Sequence, residues 1–96
     1  MNEIEFRGWM IDAGKNKKVI GDTISRLKRI EREIGHCDID KEYHNDRCTQ
    51  LLELFCNKGE NDAMRKYKTS FPIGKYHMST YRHAIKQYVK FCDETI

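Results

Sequence analysis

The stretch MSTYRHAIKQYVKFCDE, residues 78–94, has the spacing of a helix with one buried face. Its apolar residues recur at intervals of three and four, which predicts that one side of the helix packs against a core. The polar residues between them carry basic charges, so the opposite side is predicted to be cationic. Ser79 is predicted to cap the helix through its hydroxyl. The apolar positions are Met78, Tyr81, Ala84, Ile85, Tyr88, Val89 and Cys92.

Three further helices are predicted before this one, and no segment alternates as a strand does. They cover residues 2–13, 17–34 and 41–56. Gly14 suits the end of the first, because glycine adopts left-handed backbone conformations without strain. Asn16 is a candidate cap for the second. The stripe of the second helix consists of Ile20, Ile24, Leu27, Ile30 and Ile34, with Val19 at its edge, and Gly35 ends it.

The first and third helices have shorter apolar patterns, and Asp40 is a candidate cap for the third. In the first helix the apolar positions are Ile4, Trp9, Met10 and Ala13, with Phe6 beside them. In the third they are Tyr43, Cys48, Leu51, Leu52 and Phe55.

Irregular chain is predicted between the third and last helices. Residues 57–62 have the composition of a loop, and residues 63–67 are predicted to form a helical turn. Pro72 keeps residues 69–76 from being continuously helical, and Phe71 is expected to anchor this connector to the core. We therefore predict an all-α fold: a small orthogonal bundle of four to five helices, in one domain covering all 96 residues.

Charge is distributed unevenly along the chain. Residues 15–32 contain seven basic and two acidic side chains, residues 33–62 contain three basic and eight acidic ones, and residues 63–92 contain seven basic and none acidic. The net charge of the whole chain is only +3. Two basic segments separated by an acidic one are typical of a protein with a face that binds a polyanion.

Several other functions are disfavoured by the sequence. No apolar run has the length of a membrane span, and the N-terminus lacks the pattern of a signal peptide, so a cytoplasmic protein with reduced cysteines is expected. No glycine-rich phosphate loop and no Ser-His-Asp or Cys-His arrangement is present. Tyr81 and Tyr88 lie on the apolar stripe, where packing explains them better than nucleophilic catalysis does. A non-catalytic protein without a cofactor, a small-molecule substrate or a membrane partner is therefore predicted.

The cysteines and histidines allow two interpretations, a metal site or plain packing. His44 and Cys48 lie four residues apart on one predicted helix, a spacing that places two ligands on one face. His36, Cys37 and Cys56 are close in sequence. Because the spacings match no zinc-finger or zinc-ribbon pattern, no metal is predicted, and the cysteines are interpreted as small buried hydrophobes.

Three stretches together resemble the N-terminal core-binding (SAM-like) domain of tyrosine recombinases and phage integrases. EFRGWMIDAGKNKKVIGDTISRLKRIE has the layout of the first helical hairpin of that domain, and TYRHAIKQYVKFC is similar to its last helix. YHNDRCTQLLELF is closer to related helical domains in bacterial proteins, some fused to nucleases. The chain departs from the family pattern at Val19, where Thr or Ser is usual, and in its lysine-rich turn.

The resemblance implies binding of double-stranded DNA by the second and last helices, in a clamp completed by a separate catalytic domain of a longer parent protein. These helices belong to the two basic segments. Phosphate contacts need long cationic side chains or hydrogen-bond donors. The predicted DNA-binding residues are Lys15, Lys17, Lys18, Arg26, Arg29, Lys75, Ser79, Thr80, Arg82, His83, Lys86 and Lys90.

A protein–protein module is the alternative hypothesis. The acidic third helix of one copy and the basic last helix of another have complementary charges, so the two helices can pair between copies or dock a partner. The arrangement of the basic residues separates the hypotheses. A shared face for the second and last helices favours DNA, whereas opposite faces favour assembly.

Overall fold

The computed structural model describes residues 1–95, which form six α-helices and no strand. The predicted small all-α bundle is confirmed. The count exceeds the predicted four to five because the third predicted helix is divided in two. The helices are α1 (Glu3–Asp12), α2 (Lys17–Glu33), α3 (Ile39–Asp46), α4 (Thr49–Leu54), α5 (Asp62–Arg65) and α6 (Met78–Thr95).

Local sequence signals set the ends of the first two helices. The Asn16 side chain accepts a hydrogen bond from the N–H of Val19 at 2.9 Å, which satisfies a free donor at the start of α2. Gly14 follows α1 with a φ of +82°, and Gly35 follows α2 with a φ of +59°. The predicted cap and both glycine stops are thus confirmed.

The single helix predicted over residues 41–56 is wrong. Arg47 and Cys48 have left-handed φ angles of 54° and 62°, which break the helix between α3 and α4. The carboxylate of Asp46 accepts hydrogen bonds from the N–H groups of Thr49 and Gln50 at 3.1 and 3.0 Å, so it restarts the chain as α4. The break turns the fully buried Cys48 into the core.

The start of α3 also differs from the prediction. Asp38, and not Asp40, caps the helix by accepting from the N–H of Asp40 at 2.9 Å. The Asp40 carboxylate instead lies 3.4 Å from the N-terminal amine of Met1 and accepts a hydrogen bond from the hydroxyl of Tyr88. Burial and this contact with Asp40 raise the pKa of Tyr88.

Helix α1 confirms two of the core positions predicted for it and contradicts two: Met10 is buried and Trp9 is partly buried against the core, but Ile4 and Ala13 face solvent. Phe6 and Met10 are buried, one turn apart, whereas Ile4 is 86% exposed and Ala13 is exposed. Phe6 lies against the rings of Tyr88 and of a second α6 aromatic, Phe91. Because Ile4 is two residues before Phe6, it is about 200° around the helix and points to solvent.

Helix α6 buries the predicted stripe except Val89, which is partly buried, and it also buries Phe91, which the prediction omitted. Tyr81 and Tyr88 belong to the core as predicted. Ser79, however, does not cap the helix. It lies inside the first turn, and its hydroxyl donates to the carbonyl of Tyr76 at 2.9 Å. The connector before α6 is anchored as expected, with Phe71 buried between the rings of Phe55 and Tyr81.

The four cysteines are free thiols, and two of them, Cys48 and Cys92, are buried. Burial raises the pKa of Cys48 to about 12 and the pKa of Cys92 to about 11. The pKa of the half-buried Cys37 is likewise raised to about 11, chiefly by burial.

Alkylation should therefore be selective in the folded protein. At pH 8, iodoacetamide is expected to modify Cys56 at least about ten times faster than Cys48, because the thiolate is the reactive form and the Cys48 thiol stays protonated and covered. Peptide mass spectrometry after timed quenching measures both rates. In denaturant the two cysteines should react alike. Equal rates in the folded protein would contradict the buried position of Cys48.

Candidate nucleic-acid interface

Helices α2 and α6 pack side by side and run in opposite directions. Arg29, near the end of α2, bonds to Tyr81 in the first turn of α6. Lys15, just before α2, lines the same hollow as Lys90, in the last turns of α6. The outer residues of the two helices therefore run alongside each other over most of their lengths.

A groove of about 490 Å³ lies between these helices near the start of α6. Six of the twelve predicted DNA-binding residues line it. The structure thus brings a basic residue of the second helix together with those of the last helix on one face. The lining residues are Arg26, Ser79, Thr80, Arg82, His83 and Lys86, and we call this the basic groove.

The cations of the basic groove have no acidic partner in the part of the chain that the structure describes. Neither Arg26, Arg82 nor Lys86 forms an ion pair with any group in residues 1–95. The Nε of Arg82 is also shielded from solvent without a hydrogen-bond partner among those residues. An unsatisfied buried donor is costly to folding, and such donors are found at binding sites.

The hydroxyls of Ser79 and Thr80 donate their hydrogens within the protein. Ser79 and Thr80 donate to the carbonyls of Tyr76 and His77 at 2.9 and 2.6 Å. The backbone N–H groups of the same two residues bond to these carbonyls as well. Because a hydroxyl has one hydrogen, both side chains turn only acceptor lone pairs outward. The donors available to a phosphate are therefore the cationic side chains of the groove.

Arg29, which is also predicted to contact DNA, is only partly exposed, because its guanidinium is bound by several groups of the protein. Its guanidinium donates to the carboxylate of Glu33 at 2.5 Å, to the hydroxyl of Tyr81 at 2.6 Å and to the carbonyl of Ser70 at 2.7 Å. It also lies 4.9 Å from the centre of the Phe71 ring. These contacts join α2, the connector and α6, and they leave 28% of the side chain exposed.

The remaining predicted cations are spread over other parts of the surface. Lys90 continues the stripe of Arg82 and Lys86 along α6 at steps of about 6 Å. Lys15 lines a hollow with Lys90, where Asp12 and Glu94 offset the two positive charges.

Lys17 lies apart from the basic groove. It lines a second hollow with Lys15 and Arg7, over the apolar side chains of Ile11 and Ile20. Lys18 and Lys75 are exposed and line neither the groove nor these two hollows. Of the twelve predicted residues, six therefore line the basic groove and the other six lie elsewhere on the protein.

Most carboxylates of the acidic segment have partners within the protein. Asp38 and Asp40 lie 3.3 and 3.4 Å from the N-terminal amine of Met1. Asp46 caps α4, and Asp62 pairs with Arg65. The acidic segment is therefore a weaker candidate for pairing with another copy than its net charge indicates.

The cysteines and histidines considered above as possible metal ligands do not converge on one point among residues 1–95. Within residues 1–95 no three His, Cys, Asp or Glu side chains are close enough to hold one ion. The thiols of Cys37, Cys48 and Cys56 each face a different backbone carbonyl. In the same part of the chain, no helix is long and apolar enough to cross a membrane.

Comparison with protein-family models, curated proteins and solved structures finds no match for this chain. The fold and groove define a small all-α protein with a cationic groove between two antiparallel helices. Its function has to be inferred from the charge and geometry of that groove.

Proposed function

We propose that this protein binds double-stranded DNA through the basic groove between α2 and α6. The observation that carries the proposal is the convergence of Arg26, Arg82 and Lys86 on one groove, with no ion pair to any described carboxylate. Long cationic side chains held on a rigid helical surface are the usual donors to backbone phosphates. The imidazole of His83 also lines the basic groove.

Contacts of this kind are made with the DNA backbone and carry no sequence information directly. Lys90 lies one turn beyond Lys86 on the same side of α6, but Asp12 and Glu94 lie beside it, so the strongest contacts are expected in the basic groove. The resemblance to core-binding domains suggests that this domain forms one half of a clamp around the duplex. A separate recombinase, integrase or nuclease domain of a parent chain would form the other half. In this proposal the domain itself performs no catalysis.

Salt dependence of binding is the direct test. The association constant for a short fluorescent duplex, measured by anisotropy, should fall steeply with salt, because each neutralised phosphate contributes about −0.9 to the slope of its logarithm against the logarithm of the salt concentration. The double substitution Arg26→Gln with Lys86→Gln is expected to reduce the magnitude of that slope by about 1.8. The circular dichroism spectrum should stay that of the wild type.

The matched control is Lys41→Gln with Lys66→Gln, which removes the same charge from exposed lysines outside the groove. Its slope should remain near that of the wild type. If the control lowers the slope as much as the groove variant, attraction is by overall charge and the groove is not the site. Absence of binding at low salt, with self-association in sedimentation experiments, would instead favour the assembly hypothesis.

A further inference from the structure

Tyr76 and His77 form an exposed aromatic pair immediately before α6. Their ring centroids are 4.0 Å apart and the ring planes differ by 28°. Tyr76 is 73% exposed, by far the most exposed aromatic residue among those described. Since His77 covers one side of the tyrosine ring, the opposite side is open to solvent.

The pair is fixed to the end of the basic groove by residues of the groove itself. Ser79 and Thr80, which line the groove, bond to the carbonyls of Tyr76 and His77 through both hydroxyl and backbone N–H groups. Tyr76 and His77 therefore lie next to the end of the basic groove that Ser79 and Thr80 line. A backbone already held in this way loses little conformational freedom when a ligand packs on the rings.

The core does not account for the position of this tyrosine. Its ring is outside the buried cluster, and its hydroxyl bonds to no group within residues 1–95. The other exposed tyrosine, Tyr67, is only 38% exposed and lines a different hollow, with Leu51 and Leu54.

We propose that Tyr76 and His77 are a stacking platform for an unpaired base, so that the groove prefers a duplex with a single-stranded tail over a blunt duplex. This inference rests on the proposed function. Bases inside a duplex are already stacked, whereas an unpaired base presents a free π-face that any exposed aromatic ring can accept. Lys75, which precedes the pair in sequence and is exposed, supplies a positive charge for a phosphate of the tail.

Three probes test the preference by anisotropy at one salt concentration: a blunt duplex, the same duplex with a thymidine tail, and the same duplex with an abasic tail of equal length. The abasic tail supplies the same phosphates without bases. The thymidine-tailed duplex is expected to bind at least about five times more tightly than the abasic one. Tyr76→Ala should abolish that difference and leave binding of the blunt duplex unchanged.

Two variants separate stacking from general damage. Tyr76→Phe keeps the ring and should retain the preference, and Tyr67→Ala removes an exposed tyrosine elsewhere and should also retain it. Equal affinity of the wild type for the two tailed duplexes, with binding of the blunt duplex intact, would overturn the stacking platform but leave the proposed function standing. Binding to none of the three probes at low salt would overturn both.

Discussion

Phe6→Ala is expected to lower the free energy of unfolding by about 3–5 kcal/mol, because it empties the contact between α1 and α6. Phe6 is fully buried. Its ring centroid lies 6.1 Å from that of Trp9, 4.9 Å from that of Tyr88 and 5.3 Å from that of Phe91. Packed rings at such distances contribute both buried area and favourable edge contacts, and neighbouring side chains fill the resulting cavity only in part.

Urea unfolding followed by circular dichroism measures this loss. Ile4→Ala is the control, because it shortens an aliphatic side chain of the same helix that is 86% exposed. Its effect should stay within about 0.5 kcal/mol. If Ile4→Ala were the costlier change, Ile4 and not Phe6 would face the core. The orientation of α1 in the structure would then be wrong.

Arg29→Ala is expected to destabilise the fold by about 2–3 kcal/mol, which is large for an arginine on an amphipathic helix. The substitution removes hydrogen bonds to Glu33, Tyr81 and Ser70 and the contact with the ring of Phe71. It also leaves the carboxylate of Glu33, whose side chain is 14% exposed, without its counter-charge.

Arg32→Ala provides the comparison, because Arg32 is exposed on the same helix and pairs with no carboxylate in residues 1–95. Its unfolding midpoint in urea should match that of the wild type. If both variants lowered the free energy of unfolding by similarly small amounts, the contacts of Arg29 would contribute no more to stability than those of an exposed cation. Arg29 would then again be a candidate for DNA contact, as its sequence position predicts.

The effect of Arg29→Ala should also depend on pH. Burial alone would raise the pKa of Glu33, but the hydrogen bonds from Ser70 and Arg29 outweigh it and lower that pKa. A carboxyl with a lowered pKa stabilises the fold fully above its unfolded pKa, about 4.3, and loses this stabilisation as the pH falls through its folded value. The difference in unfolding free energy between wild type and Arg29→Ala should therefore shrink below about pH 4. In a Glu33→Gln background, that pH dependence should disappear.

Local chemistry made much of the fold predictable. The stripe of α2, the cap at Asn16 and the glycine stops at Gly14 and Gly35 depend on neighbours within one or two helical turns, so the sequence shows them directly. The basic side of α6 was predictable for the same reason. Its side chains alternate with the buried ones at helical spacing.

Errors arose where contacts that apolar spacing does not describe decided the structure. A helix through Arg47 and Cys48 satisfies the apolar spacing, but burial of the Cys48 thiol and the cap from Asp46 favour two shorter helices. In α1, Ile4 and Phe6 are both apolar, and only the aromatic residues of α6 decide which of them is buried.

The sequence by itself determined that this is an all-α protein with cationic second and last helices, because helical periodicity and charge are properties of short segments. Only the tertiary structure decided which cations lie side by side. The antiparallel packing of α2 on α6 places Arg26 beside Arg82 and Lys86. Arg29, three residues from Arg26, is turned toward Glu33 and Tyr81. A difference of three residues rotates a side chain by about 300° around the helix, and what it meets there depends on segments some fifty residues away.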